Sequence, residues 1–146
     1  MKGKFKPINP SKYIGDPTSI QYRSSWELAL MAHLDKHPNV LRWSSEEIVI
    51  PYYSPIDGRK HRYFPDFFVH QLNKDGNIEK ILIEVKPEHQ TKPPALVEGT
   101  NGKMSRAFIN AVKTWGVNQA KWKAAQAFCE SKSWRFQLLT EKQLFG

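Results

Sequence analysis

Asp66, Glu84 and Lys86 stand where ordinary strand chemistry disfavours charge. The runs "RYFPDFFV" (62–69) and "ILIEVKP" (81–87) are dominated by aromatic and branched apolar residues and bounded by turn formers, so both read as strands made for an interior. Strand alternation puts Glu84 and Lys86 on one face and Ile81, Ile83 and Val85 on the other. Two readings compete here. An amphipathic strand with an exposed ion pair explains the spacing and is worth about 0–1 kcal/mol, and the same pattern recurs at Glu130, Ser131 and Lys132 near a helix end. Context separates the two: Glu84 continues an apolar strand and follows Asp66, which lies in another apolar run.

An isolated carboxylate in such a place costs several kcal/mol or is driven neutral. A divalent cation removes that conflict. Asp66 and Glu84 on adjacent strands would offer oxygen ligands to Mg²⁺, with the main-chain carbonyl of Val85 as a third and Mn²⁺ as the natural substitute. Oxygen-only ligation disfavours zinc. Such a cation neutralises a scissile phosphate and acidifies a water, while Lys86 would orient the nucleophile and meet the charge growing on phosphorus. The chemistry expected is phosphodiester hydrolysis.

Several elements must position these groups. A helix is expected from Thr18 or Ser19 to about Lys36, with Ile20, Trp26, Leu28, Leu30, Met31 and Leu34 apolar and His37-Pro38 ending it. "VLRWSSEEIVIPYY" supplies one or two strands. The turn "SPIDGRK" then leads through a hairpin into a strand from about Arg62 to Leu72. "EKILIEVKP" is the most apolar strand and is expected at the sheet centre, stopped by Pro87. Residues 87–103 read as a long connection, 105–131 as a helix broken near Gly116, and "WRFQLLT" as a last strand. A crossover helix before the final strand builds a mixed sheet with helices against it, an α/β fold.

The 146 residues suffice for one domain, and 40% hydrophobic content supports an ordinary core. Residues 1–17 read as a basic N-terminal arm and 18–146 as the single domain. Cys129 is the only cysteine, which excludes an intrachain disulfide and a cysteine-built zinc site. With no apolar run of about 18 residues and no signal-peptide pattern, the expectation is an intracellular protein without a membrane partner. The formal charge of +8 favours a polyanion, with nucleic acid first. Arg59, Lys60 and Arg62 precede the strand of Asp66, and Lys103 and Arg106 border the second helix; these are the candidate phosphate contacts, with Lys2, Lys4 and Lys6 on the arm. His33 and His37, one helical turn apart, lack a third ligand nearby in sequence and read as a surface pair.

Pro65-Asp66 followed by Glu84-Val85-Lys86 in a strand resembles the PD-(D/E)xK nuclease superfamily. The longer run "YRSSWE … YFPDFF … ILIEVKP … KW…A…FC … F…LT" is similar to the endonuclease subunit of cut-and-paste transposons and to the head-completion nucleases of tailed bacteriophages. The resemblance implies a restriction-endonuclease-like mixed β-sheet flanked by helices. It adds Glu27, the end of "YRSSWE", as a further acidic residue from the helix ahead of the sheet. Transposon relatives can carry Gln where this chain has Glu84. For the phage case it implies double-stranded DNA as substrate, trimming of packaged DNA ends before the tail joins, portal or head-tail connector proteins as partners, and the host cytoplasm or the virion as location. A transposon-end nuclease, a junction resolvase and a non-catalytic DNA-binding connector module are the alternatives.

Overall fold

The computed structural model describes residues 1–95 and 105–145. In chain order the strands and helices are β1 (Gly3–Lys4), β2 (Gln21–Tyr22), α1 (Ser25–Lys36), β3 (Val40–Ser45), β4 (Ile50–Tyr53), β5 (Lys60–Tyr63), β6 (Phe67–Leu72), β7 (Ile78–Val85), α2 (Arg106–Lys132), β8 (Arg135–Leu139) and α3 (Glu141–Phe145). Four strands form the central sheet in the order β3-β6-β7-β8. The pairs β3–β6 and β6–β7 are antiparallel and β7–β8 is parallel, so the sheet is mixed. The parallel pair needs a long return path, which α2 provides. Strand β7 is interior, flanked on both edges, and Ile81, Leu82 and Ile83 are buried there as its apolar sequence demands.

Alternation along β6 and β7 divides the core between two faces. Phe67, Val69, Ile81 and Ile83 join Trp43 and the α1 residues Leu30, Met31 and Leu34. Phe68 and Leu82 join Trp122, Ala125 and Cys129 of α2 with Ile50, Tyr52 and Tyr63 of the β4–β5 hairpin. The result is the three-layer α/β arrangement expected, helices on both faces of a mixed sheet. Trp122 is core and Trp115 packs against it edge-on at 6.4 Å, in keeping with a helical apolar stripe.

Four local differences from the sequence expectation have physical causes. Helix α1 starts at Ser25, because Asp16 ties Thr18 and Ser19 into a turn and β2 is committed to β1, with the Phe5 N–H donating to Ile20 O. Ser24 then caps the helix, accepting from the Glu27 N–H at 3.1 Å. Residues 1–17 do not extend freely. Both oxygens of buried Asp35 accept main-chain N–H groups, from Ile8 at 2.8 Å and Asn9 at 3.1 Å, and Tyr13 is buried against Trp43. Helix α2 runs unbroken through Gly116, whose surroundings leave ordinary van der Waals space; one glycine costs only about 1 kcal/mol, which the burial of Trp122, Ala125 and Cys129 further along the helix outweighs. The expected strand 62–72 is two strands in two sheets, divided at Phe64-Pro65-Asp66.

Candidate active site

That division positions Asp66. Pro65 has no N–H to give a ladder and a fixed φ, so the chain leaves the β4–β5 hairpin and enters the central sheet at this point. Pro65 is fully buried, which anchors the junction. The Asp66 carbonyl accepts from the Glu46 N–H at 3.1 Å, continuing the β3–β6 pairing by one step. Its carboxylate reaches the neighbouring strand, where Oδ2 accepts from the Val85 N–H at 2.7 Å. Burial pushes Asp66 up to about 8, and the neighbouring Glu84 carboxylate adds to this; the Val85 N–H opposes both.

Glu84 occupies the penultimate position of β7 and is 5% exposed. It shares a face with Lys86, and Lys86 Nζ lies 3.8 Å from Glu84 Oε2, a long ion pair. The other oxygen, Oε1, is sealed from solvent without a hydrogen bond. Burial raises Glu84 above the ordinary carboxylate range, and the Lys86 ammonium only partly offsets it. The Lys86 N–H donates to Leu139 O at 2.9 Å, which ties the strand end to β8. The exposed surface ion pair is therefore not what this spacing encodes, because one partner is buried beside a second acid.

Glu27 enters from the first turn of α1. Its Oε1 accepts from the Arg23 N–H at 3.1 Å while its own N–H donates to Ser24, a reciprocal arrangement close to a capping box. Glu27 and Trp26 line a surface depression with Val85 and Pro87, and the Glu27 charge reaches both Asp66 and Glu46. Trp26, expected in the core, is only half-buried. Two neighbours went unnoticed in the sequence. Glu46 adopts φ 55°, a left-handed conformation that costs a non-glycine residue of order 1–3 kcal/mol, and it pairs with Arg23 at 2.9 Å. Tyr63 places a buried phenol beside Glu84. No period or motif marks Glu46; Tyr63 sits three residues before Asp66, where only the strand break reveals its direction.

The donor set fits a hard divalent cation. Asp66, half-buried, and Glu84, buried, are neighbouring carboxylates driven toward the neutral form, so a cation would relieve repulsion and desolvation together. Asp66, Glu84 and the Val85 carbonyl are the residues that would hold it. Glu27 adds charge from one side, but among the described residues no three His, Cys, Asp or Glu side chains are gathered closely enough to hold an ion by themselves. The His33 and His37 rings lie 5.0 Å apart, tilted at 45°.

The basic candidates are dispersed. Arg59, Lys60 and Arg62 are exposed on the β4–β5 hairpin, with Arg62 over the Phe64 ring at 5.5 Å. Arg106 is exposed in the first turn of α2, and Lys103 lies outside the described residues. No helix among the described residues is long and apolar enough to cross a membrane.

Half-buried Asp66 and buried Glu84 thus meet beside Lys86 at the end of the central strand of an α/β fold. Residues 37–141 match the family described as TnsA-like endonuclease N terminal, and the chain belongs to that family. The matched segment contains Asp66, Glu84 and Lys86; Glu27 lies ahead of it. The chain is also similar to the head completion nuclease of Enterobacteria phage T4, at 42% identity over 142 residues, covering 97% of this chain and 92% of that protein.

Proposed function

We propose that this protein is a Mg²⁺-dependent endonuclease of the PD-(D/E)xK type that hydrolyses phosphodiester bonds of double-stranded DNA during bacteriophage head completion, processing packaged DNA ends. The observation that carries the reading is the meeting of half-buried Asp66 and buried Glu84, both pushed toward the neutral form, beside the Lys86 ammonium.

A divalent cation bound here supplies charge neutralisation for the scissile phosphate and an acidified water. Asp66 is held for ligation by the Val85 N–H, and Glu84 by its place in the ladder between β6 and β8. Lys86, 27% exposed at its side chain, is open enough to touch substrate; it orients the attacking water and stabilises charge developing on the phosphate oxygens. Glu27 completes the acidic lining from α1. Arg59, Lys60, Arg62 and Arg106 grip the backbone to either side, contacts that position a duplex without reading its sequence. The work would take place in the host cytoplasm during assembly, against a portal or head-tail connector protein.

Plasmid cleavage with Mg²⁺ or Mn²⁺ tests this, comparing wild type with Asp66→Ala and Lys86→Ala. Cutting by wild type alone supports it. Equal cutting by all three overturns the assignment of the site, and binding without cutting by wild type favours a connector module that retains the fold.

A further inference from the structure

Four buried side-chain polar atoms among the described residues lack a hydrogen bond: Trp43 Nε1, Tyr63 Oη, Glu84 Oε1 and Trp122 Nε1. The two indoles belong to the two core clusters. The other two are a donor and an acceptor, and they meet beside Asp66. Tyr63 is 3% exposed and closes β5 just before the break that delivers Asp66. Glu84 presents Oε2 toward Lys86, which leaves Oε1 as the sealed oxygen.

We propose that Tyr63 is a positioning residue whose phenol donates to Glu84 Oε1, holding that carboxylate with its outer oxygen Oε2 turned to Lys86 and the reacting phosphate. Buried polar atoms are paired in the great majority of folded proteins, and an acceptor sealed from water has no other use for its lone pairs. The phenol lies within reach of the Glu84 carboxylate and feels its charge, and alignment of Oη on Oε1 pairs both groups. An ordinary phenol titrates at about 10, so at neutral pH it holds the proton that it must donate. The ring has little freedom to turn elsewhere. It packs in the cluster containing Leu82 and Trp122, and Lys121 Nζ sits 5.5 Å from its centroid. A carboxylate with one oxygen tied and one free is a better-defined ligand than a freely rotating one, as hydrogen-bonded partners behind metal ligands generally show.

The inference rests on the ligand role proposed for Glu84. Its test is Tyr63→Phe, which keeps the ring and removes only the donor. Mn²⁺ binding to the protein without DNA, read by the loss of free-ion paramagnetic resonance signal, is expected to weaken about tenfold. The kcat for duplex cleavage should fall by a similar factor with KM unchanged. Urea midpoints in EDTA serve as the folding control and are expected to match wild type closely. In a Glu84→Gln background the Tyr63→Phe change should no longer alter Mn²⁺ affinity, because its partner carboxylate is gone. Wild-type Mn²⁺ affinity in Tyr63→Phe overturns the proposal, and so does a collapse of the EDTA midpoint, which would make the phenol a packing group. Absence of Mn²⁺ binding by wild type would instead strike the metal reading itself.

Discussion

In the absence of a cation the site should make the protein less stable as pH rises from 5 to 7, and Asp66→Asn should remove much of that loss. Asp66 titrates near 8 in the folded chain, against about 3.9 when unfolded. Across this window the folded state keeps a proton that the unfolded state has already released, so unfolding releases it and stability falls with pH. Each unit is worth about 1.4 kcal/mol, or about 2–3 kcal/mol from pH 5 to 7. Glu84, also raised by burial, acts in the same direction. His33 and His70 act oppositely, because burial lowers their pKa values and the unfolded chain then binds more protons. His33 and His70 are common to both chains while Glu84 loses its acidic neighbour in the variant, so the difference between wild type and Asp66→Asn in urea unfolding with EDTA at pH 5, 6 and 7 reads the acidic pair. The expected difference in slope is about 1 kcal/mol per pH unit in favour of the variant. Mg²⁺ at 100 times its dissociation constant should return about 2.7 kcal/mol to wild type at pH 7. Parallel curves for the two chains, with no response of wild type to Mg²⁺, would refute the claim that burial and repulsion meet at Asp66.

Asp35→Ala should release the first residues from the domain, since two main-chain N–H groups lose their acceptor; the expected cost is about 3 kcal/mol in urea unfolding, with faster tryptic cleavage at Lys2 and Lys4. Ser24→Ala removes the cap of the helix that carries Glu27 and should cost about 1 kcal/mol, with weaker Mn²⁺ cutting than the stability loss alone explains. Neutralising Arg59, Lys60 or Arg62 should each flatten the log-log salt dependence of duplex binding by about 0.9, if the residue contacts a phosphate; fluorescence anisotropy in EDTA reads this directly.

Much of the architecture could be read from residue order. The apolar content of 81–85 located the central strand, the turn at Asp75-Gly76 joined it to β6, and the turn at Asp57-Gly58 made the separate β4–β5 hairpin, with Gly58 at φ 66° and Gly76 at φ 79°. The failures lie where a local pattern was overruled from a distance. Periodicity extended α1 back to Thr18, but a strand pair and an Asp16 turn had claimed those residues. Gly116 suggested a break, but α2 packs on the sheet and the hairpin from Trp115 to Cys129, and that packing outweighs one weak helix former. A basic, proline-rich start looked free, because nothing in it announces that buried Asp35, at the far end of α1, will hold it.

What the sequence determined by itself was chemical: two acids and a lysine, placed by strand alternation in runs too apolar to leave them all in water, in a chain charged for a polyanion. Tertiary structure alone decided that Asp66 and Glu84 would be neighbours, because their nearness depends on the register of β6 against β7 and on a proline that moves the chain between two sheets. It also decided the surroundings, bringing Glu46 with its left-handed backbone and the Tyr63 phenol to the same acids. Residue spacing specifies which face of a strand a side chain takes. Which groups meet across strands, and how much water they keep, follows only once the sheet is closed by its helices.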